Sequence, residues 1–311
     1  YPGLQVICGV ARADDPAAAA VGELAAALPE ADLTLVVDDR RHGCNLKVGN
    51  LLNMVERLRH PLVVIADSDV HAYPGYLDDL AAGLAAPGTG LVTSLYIGRP
   101  TATLWSRLGA LAINHGFLPS ALVARALGRR DGCFGATMAL PREVLDAIGG
   151  LAPLADILAD DWALGAAVRR AGYGIALAAR PVDLTVDEPD LRSLLAHEIR
   201  WGRTIAAVDR PSYIASVITQ PVAVAALAAA VGGAPWLGLL AAAAVVRWWA
   251  VRSEEAALGL AKAPAALLVL REVLNFLVFV AACSGRSVWW RGKRFRVRPD
   301  GTLEHLEGIS A

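Results

Sequence analysis

The residues best placed to do chemistry lie in the stretch LVVIADSDV, residues 62–70, where Asp67 and Asp69 flank Ser68 directly after an apolar run. Two carboxylates one residue apart can both reach a hard divalent cation, which takes oxygen ligands and often holds substrate phosphates as well. The run before them is short, rich in Val and Ile, and bounded by turn residues, so it reads as a buried strand of a parallel sheet. Ligands of open α/β sheets bind outside the carboxyl ends of such strands. The competing reading is a turn cap, because Pro74 and Gly75 follow within HAYPGY.

The elements around this strand set its position. LQVICGV (4–10) reads as a strand, the Ala-rich run 16–28 as a helix, and LTLVV (33–37) as a second strand ending at Asp38-Asp39. NLKVGNLLNMVERL (45–58) has helical spacing, a further helix falls around residues 76–85, and GLVTSLY (90–96) reads as a strand. This alternation predicts an α/β fold with a doubly wound, mostly parallel sheet. Residues 104–127 are apolar but broken by Arg107, Asn114, His115 and Pro119. They suit either a segment on a membrane surface or an acceptor groove, or else an ordinary helix pair packed on the sheet. FGATMALPREVLDAIGGL (134–151) reads as a strand followed by a helix with a Gly-Gly stop. LADDWALGAAVRRAGYG (158–174) places Asp160-Asp161 at a helix start, IALAA (175–179) is another strand, and residues 191–205 form an amphipathic helix.

The remaining third is built for a membrane. Hydrophobic residues make up 55% of the 311 and the mean hydropathy is +0.45, too apolar for a purely soluble chain. Residues 213–231 and 235–251 are apolar runs separated by Gly232-Gly233-Ala234-Pro235, each long enough for a core that takes ~20 residues. A third run, 264–283, carries Arg271, Glu272 and Asn275 near its middle. Arg200, Arg203 and Arg210 precede the first run, and Arg247, Arg252 and Lys262 close the second. The positive-inside rule therefore puts the catalytic part in the cytoplasm. Three full spans would put Arg286, Arg291, Lys293, Arg294, Arg296 and Arg298 outside, so the third run is expected to be re-entrant or interfacial. The resulting division is a cytoplasmic domain over 1–210, membrane segments over 211–285 and a basic cytoplasmic tail over 286–311, in a multi-pass protein of the cell inner membrane.

Other partners find no support. The net charge is −1, with no basic patch interleaved with aromatics, so no nucleic acid is expected. Cys8, Cys44, Cys133 and Cys283 lie far apart with no CxxC spacing, which indicates neither a zinc site nor a disulfide framework. The chain begins at Tyr1 rather than Met and shows no signal peptide, so its start reads as a cut or a mis-called beginning.

Four features fall in order: NLKVGNL (45–51), the Asp67-Ser68-Asp69 triplet, Asp160-Asp161, and His197 to Trp201. This order resembles the ceramide glucosyltransferase family, including its bacterial relatives acting on hopanoid lipids. LYIGRPTATLWSRLGALAINHGFLPSALVA (95–124), FGATMAL (134–140) and VWWRGKRFRV (288–297) are also similar to that family, so the resemblance covers essentially the whole chain. It implies an inverting transferase with a type A nucleotide-diphospho-sugar fold, a UDP-sugar donor, a lipid acceptor and a divalent cation, Mg or Mn. Asp67 and Asp69 would hold the cation against the diphosphate. Lys47, with Asn45 beside it, would add a point charge to the phosphates, or be a solvated helix lysine. By the same resemblance Asp161 takes the proton of the acceptor alcohol, and Asp160 raises the pKa of its neighbour; the other reading of the pair is a helix N-cap.

Arg200 and Trp201 match the end of the family's [Gln or Arg]-x-x-Arg-Trp motif over the donor phosphates and acceptor, with His197 where Gln or Arg is usual. The chain is expected to begin after the family's N-terminal membrane helix and first strand, and Arg12, with Asp14 and Asp15, stands where relatives carry a nucleotide-binding Asp. Transfer to a polyprenyl phosphate or polysaccharide, or a catalytically inactive membrane-bound binding protein, are the alternatives.

Overall fold

The computed structural model describes residue 1 and residues 3–290, 293–298 and 301–306; Arg291 of the basic tail lies outside these. The chain opens as two strand–helix units: β1 (Gln5–Val10), α1 (Pro16–Ala27), β2 (Asp32–Val37) and α2 (Leu46–Val55). Asp15 caps α1 by accepting from the Ala17 amide, and Pro supplies the preset first turn. Asn45 caps α2, its side chain accepting from the Lys47 and Val48 amides. β3 (Leu62–Ala66), β4 (Val70–His71), α3 (Tyr76–Leu84), β5 (Thr89–Thr93) and β6 (Tyr96–Pro100) complete the first half.

An excursion follows through α4 (Leu104–Ala112), a π-helical turn at Ile113–Phe117 and α5 (Leu118–Ala126). It returns the chain to the carboxyl end of β3, where β7 (Thr137–Pro141) starts opposite Ala66 and runs back to Leu62. β7 is therefore antiparallel to both β3 and β5, while β8 (Gly174–Leu177) is parallel to β5. The expectation of a mostly parallel sheet is corrected here: the central sheet, in the order β3-β7-β5-β8, is mixed. The cause is the return path, which brings the chain back at the carboxyl end of β3 instead of carrying it across to the amino end.

β7 leads into α6 (Arg142–Ala147), and α7 (Asp160–Arg170) precedes β8. β9 (Val182–Val186) joins β4 and β6 in a second small sheet. β1 and β2 form a parallel pair of their own, and among the described residues neither β1 nor the second edge of β3 bonds another strand. The core under the central sheet gathers Val63, Ile65, Leu91, Met138, Leu140, Leu164 and Val168.

α8 (Leu191–Val208), capped by Asp190, leads to α9 (Arg210–Ala215), α10 (Pro221–Gly232), α11 (Leu237–Ala257) and α12 (Ala265–Cys283). The run 213–231, expected as one span, is broken between Thr219 and Pro221 and bent by 75°. Proline at the start of α10 has no N–H to continue the helix before it. Among the described residues two helices, Ala234–Ala257 and Ala265–Cys283, are long and apolar enough to cross a membrane. The tail forms an antiparallel sheet of β10 (Ser287–Trp290), β11 (Lys293–Val297) and β12 (Leu303–His305). It is tied to the loop before α7 by backbone bonds from the Leu303 amide to Asp156 and from the Leu158 amide to Gly301.

Candidate active site

The carboxyl ends of β1, β2 and β3 open into one cavity of about 2150 Å³, which also receives α7 and the inner face of α8. Asp67 leaves β3 beside β7, its amide donating to the Ala136 carbonyl at 3.2 Å. The antiparallel return of β7 thus sets the loop Phe134–Ala136 against the end of β3. Thr93 fastens that loop, its hydroxyl donating to the Phe134 carbonyl and accepting from its amide, both at 2.8 Å.

Lys47 reaches from the first turn of α2 into this corner. Its Nζ lies 2.7 Å from Asp67 Oδ1 and 3.7 Å from Asp160 Oδ2, and it donates to the Gly135 carbonyl at 3.3 Å. Burial acts to lower the Lys47 ammonium, but Asp160 and Asp67 outweigh it and its pKa is raised. Asn45 is fully buried; beyond its cap bonds it donates to the Ile157 carbonyl at 2.7 Å and to Asp160 Oδ1 at 3.3 Å. It therefore holds Lys47 and Asp160 in register rather than facing the cavity itself.

Asp160 and Asp161 begin α7 without a side-chain cap before them. Asp161 accepts from the Gly135 amide at 2.9 Å through Oδ2 and from its neighbour Trp162 at 2.7 Å through Oδ1. Burial first, and then the charge of Asp160, pushes the Asp161 carboxyl up to about 6 against those amides and Lys47. Burial also raises Asp160, against Lys47 and Asn45. Asp69 is raised by burial and by Asp67.

On the far wall, α8 presents His197, Arg200 and Trp201. His197 Nδ1 pairs with Glu188 Oε1 at 2.7 Å, and its ring meets the Trp201 ring edge-on at 4.3 Å between centroids. All nine residues singled out in the sequence fall in or beside this one cavity, Asn45 behind its wall. Arg12 lines its outer end and is paired with Asp14 at 2.7 Å.

Three contributors escaped sequence reasoning. Gly135 binds both Lys47 and Asp161 through backbone atoms alone, and a Cβ there would sit 3.2 Å from Asp161 Oδ2. Tyr96 stacks on Phe117 at 4.5 Å, with Phe134 edge-on beyond, as an apolar wall beside the carboxylates. Glu188, buried at the end of β9, fixes His197; an acidic residue before the helix cap was the available signal.

Among the described residues no three His, Cys, Asp or Glu side chains could hold a metal between them. A magnesium-like ion keeps several waters and takes one or two carboxylates plus substrate phosphates, and Asp67 with Asp69 is such a donor set.

Buried carboxylates, the Lys47 ammonium and an aromatic wall thus line one cleft, and the whole-chain comparison gives the class of enzyme. The model of glycosyl transferase family 21 matches residues 1–303, and the chain belongs to that family. Among solved structures it is similar to a mycobacterial protein, with 20% identity and a TM-score of 0.37 over 64% of this chain and 62% of that one. It is similar also to mannosyl-3-phosphoglycerate synthase from Rubrobacter xylanophilus, with 15% identity and a TM-score of 0.31 over 66% of this chain and 73% of that one.

Proposed function

We propose that this glycosyltransferase has the type A fold and transfers a hexose or N-acetylhexosamine, with inversion, from a UDP-sugar to the hydroxyl of a ceramide- or hopanoid-type lipid. The transfer takes place at the cytoplasmic face of a membrane. The observation that carries this reading is Asp161, a carboxyl pushed up to about 6 yet bound by two backbone amides, facing the cavity that Lys47 and Asp67 share.

In the proposed step the acceptor oxygen attacks the anomeric carbon as the bond to the diphosphate oxygen breaks. The bonding pair leaves with UDP, and the alcohol proton goes to an Asp161 oxygen. A base poised just below neutral pH is mostly ionised there and still basic enough to accept it. The wall of Tyr96, Phe117 and Phe134 keeps water from competing. A divalent cation at Asp67 and Asp69, when bound, supplies charge neutralisation for the leaving diphosphate. Lys47 adds its charge to the phosphates, Arg200 contacts them through its fork, and Trp201 covers the sugar or lipid face. His197, held by Glu188, donates a hydrogen bond to the donor.

The test is UDP release by the detergent-purified chain from a panel of UDP-sugars, with and without lipid alcohol and manganese. Lipid-dependent release that Asp161→Asn abolishes is expected. No release with any donor and lipid pair would sink the reading.

A further inference from the structure

The charges in the middle of α12 do not face outward. Arg271 is 2% exposed and forms a two-pronged ion pair with Glu198 of α8 at 2.7 and 2.8 Å, with a further bond to the Leu108 carbonyl of α4 at 3.3 Å. Glu272 pairs with Arg247 of α11 at 2.8 Å, and Arg247 also donates to the His115 carbonyl. Leu274 packs with Leu108, Leu111 and Leu194 on the same side. The opposite side of α12 carries Val269, Val273, Leu277 and Val280, exposed at 68%, 53%, 55% and 46%. Those positions are three and four residues apart and form one apolar stripe.

This arrangement conflicts with α12 as a span. If it crossed, Arg271 and Leu274 would sit near the bilayer centre and carry Glu198 with them. Glu198 lies on α8 beside His197, Arg200 and Arg203, so the cavity wall would be dragged into hydrocarbon. Charged side chains at that depth are expensive, and they face protein or water rather than lipid. The hairpin of α10 and α11 is also short. α10 has 12 residues; α11, although long and apolar enough to cross by length and composition, reaches Arg247, tied to Glu272 and the His115 carbonyl, after only ten apolar residues, Leu237 to Val246. At 1.5 Å per residue these reach about 18 and 15 Å, against a core of about 30 Å.

We propose that the C-terminal helices grip the lipid bilayer from one face only. α12 lies in the plane of the interface with its valine–leucine stripe toward lipid, and the α10–α11 hairpin enters the same leaflet and returns. This takes the place of the two full spans expected from the apolar runs. α8 then lies directly beneath the membrane-seated helix, about one helix diameter, ~10 Å, from the headgroups. A lipid alcohol can reach the cavity without leaving its leaflet; that last consequence rests on the proposed function, whereas the topology does not.

The test uses the full chain in sealed vesicles of both orientations, with Cys8, Cys44, Cys133 and Cys283 replaced and single cysteines at Lys262→Cys, Arg286→Cys or Ala234→Cys. An impermeant maleimide should modify the two ends of α12, at 262 and 286, from the same face. It should leave Ala234→Cys unmodified from either face until detergent is added. Modification of the two ends from opposite faces, or of Ala234→Cys in intact vesicles, overturns the proposal. Should cysteine replacement unfold the chain, epitope tags after Gly259 and at the C-terminus of the otherwise unaltered protein report the same thing by protease protection. Tags on one side support the proposal, and tags on two sides refute it. Both experiments read location alone, so a failure of glycosyl transfer leaves their outcome unaffected.

Discussion

The Lys47 ammonium sits 2.7 Å from Asp67, so a cation of the protein itself already occupies the corner where carboxylates crowd. Removing it leaves Asp67 and Asp160 without the ammonium between them and, in the proposed step, deletes a charge for the donor phosphates. Lys47→Met is expected to weaken UDP binding by about 10- to 100-fold, since hydrogen bonds to charged groups contribute roughly 1.5–3 kcal/mol. Titration calorimetry with UDP checks this; unchanged affinity would make Lys47 a purely internal counter-ion.

Asp161→Asn should lower turnover at least about a hundredfold while leaving UDP binding nearly intact. Asp160→Asn should cost less, because in the proposed step Asp160 acts only through its neighbour. Reversed effects would exchange the two roles.

The pH profile follows from the same carboxyl. Turnover per donor should rise as pH increases through about 6 and level off above it. Stability runs the other way. The folded chain holds this proton more tightly than the unfolded one, so its contribution is complete below about pH 4 and is lost as pH climbs through about 6. The loss is on the order of 3 kcal/mol. Melting temperatures of wild type and Asp161→Asn between pH 4 and 7 should show a steeper decline with pH for the wild type.

Chelation should abolish donor binding if Asp67 and Asp69 act through a divalent cation, and Asp67→Ala or Asp69→Ala should each reproduce the loss even at saturating acceptor. Binding of UDP that persists undiminished in chelator would remove the metal from the scheme.

Asn45 answers to a different assay. Its cap bonds and its bonds to Ile157 and Asp160 are all buried. Asn45→Ala should therefore destabilise the fold by about 1–2 kcal/mol, visible as a lower melting temperature with or without UDP. A normal melt with weakened UDP binding would instead make Asn45 a direct donor contact.

What could be read from the sequence was local. β3 and the Asp67–Asp69 pair at its end are a short pattern that needs no partner to recognise, and Asp160-Asp161 announces a helix start by composition. Gly135 was invisible because its contribution is an amide and a carbonyl, which every residue has. The direction of β7 depends on where the excursion through α4 and α5 comes back, a property of no window of residues. The break before Pro221 was hidden by apolar residues on both sides, although the proline marked it. His197 was found by resemblance, but Glu188 becomes its partner only when β9 meets α8.

The sheet borders noted above have a practical side. Among the described residues β1 and β3 each leave one edge without a strand partner, and residues of both strands line the same cavity. Unpaired edges are templates for any extended chain. Preparations of this chain should therefore become turbid with concentration, and light scattering should fall when an apolar peptide of strand length is supplied in excess.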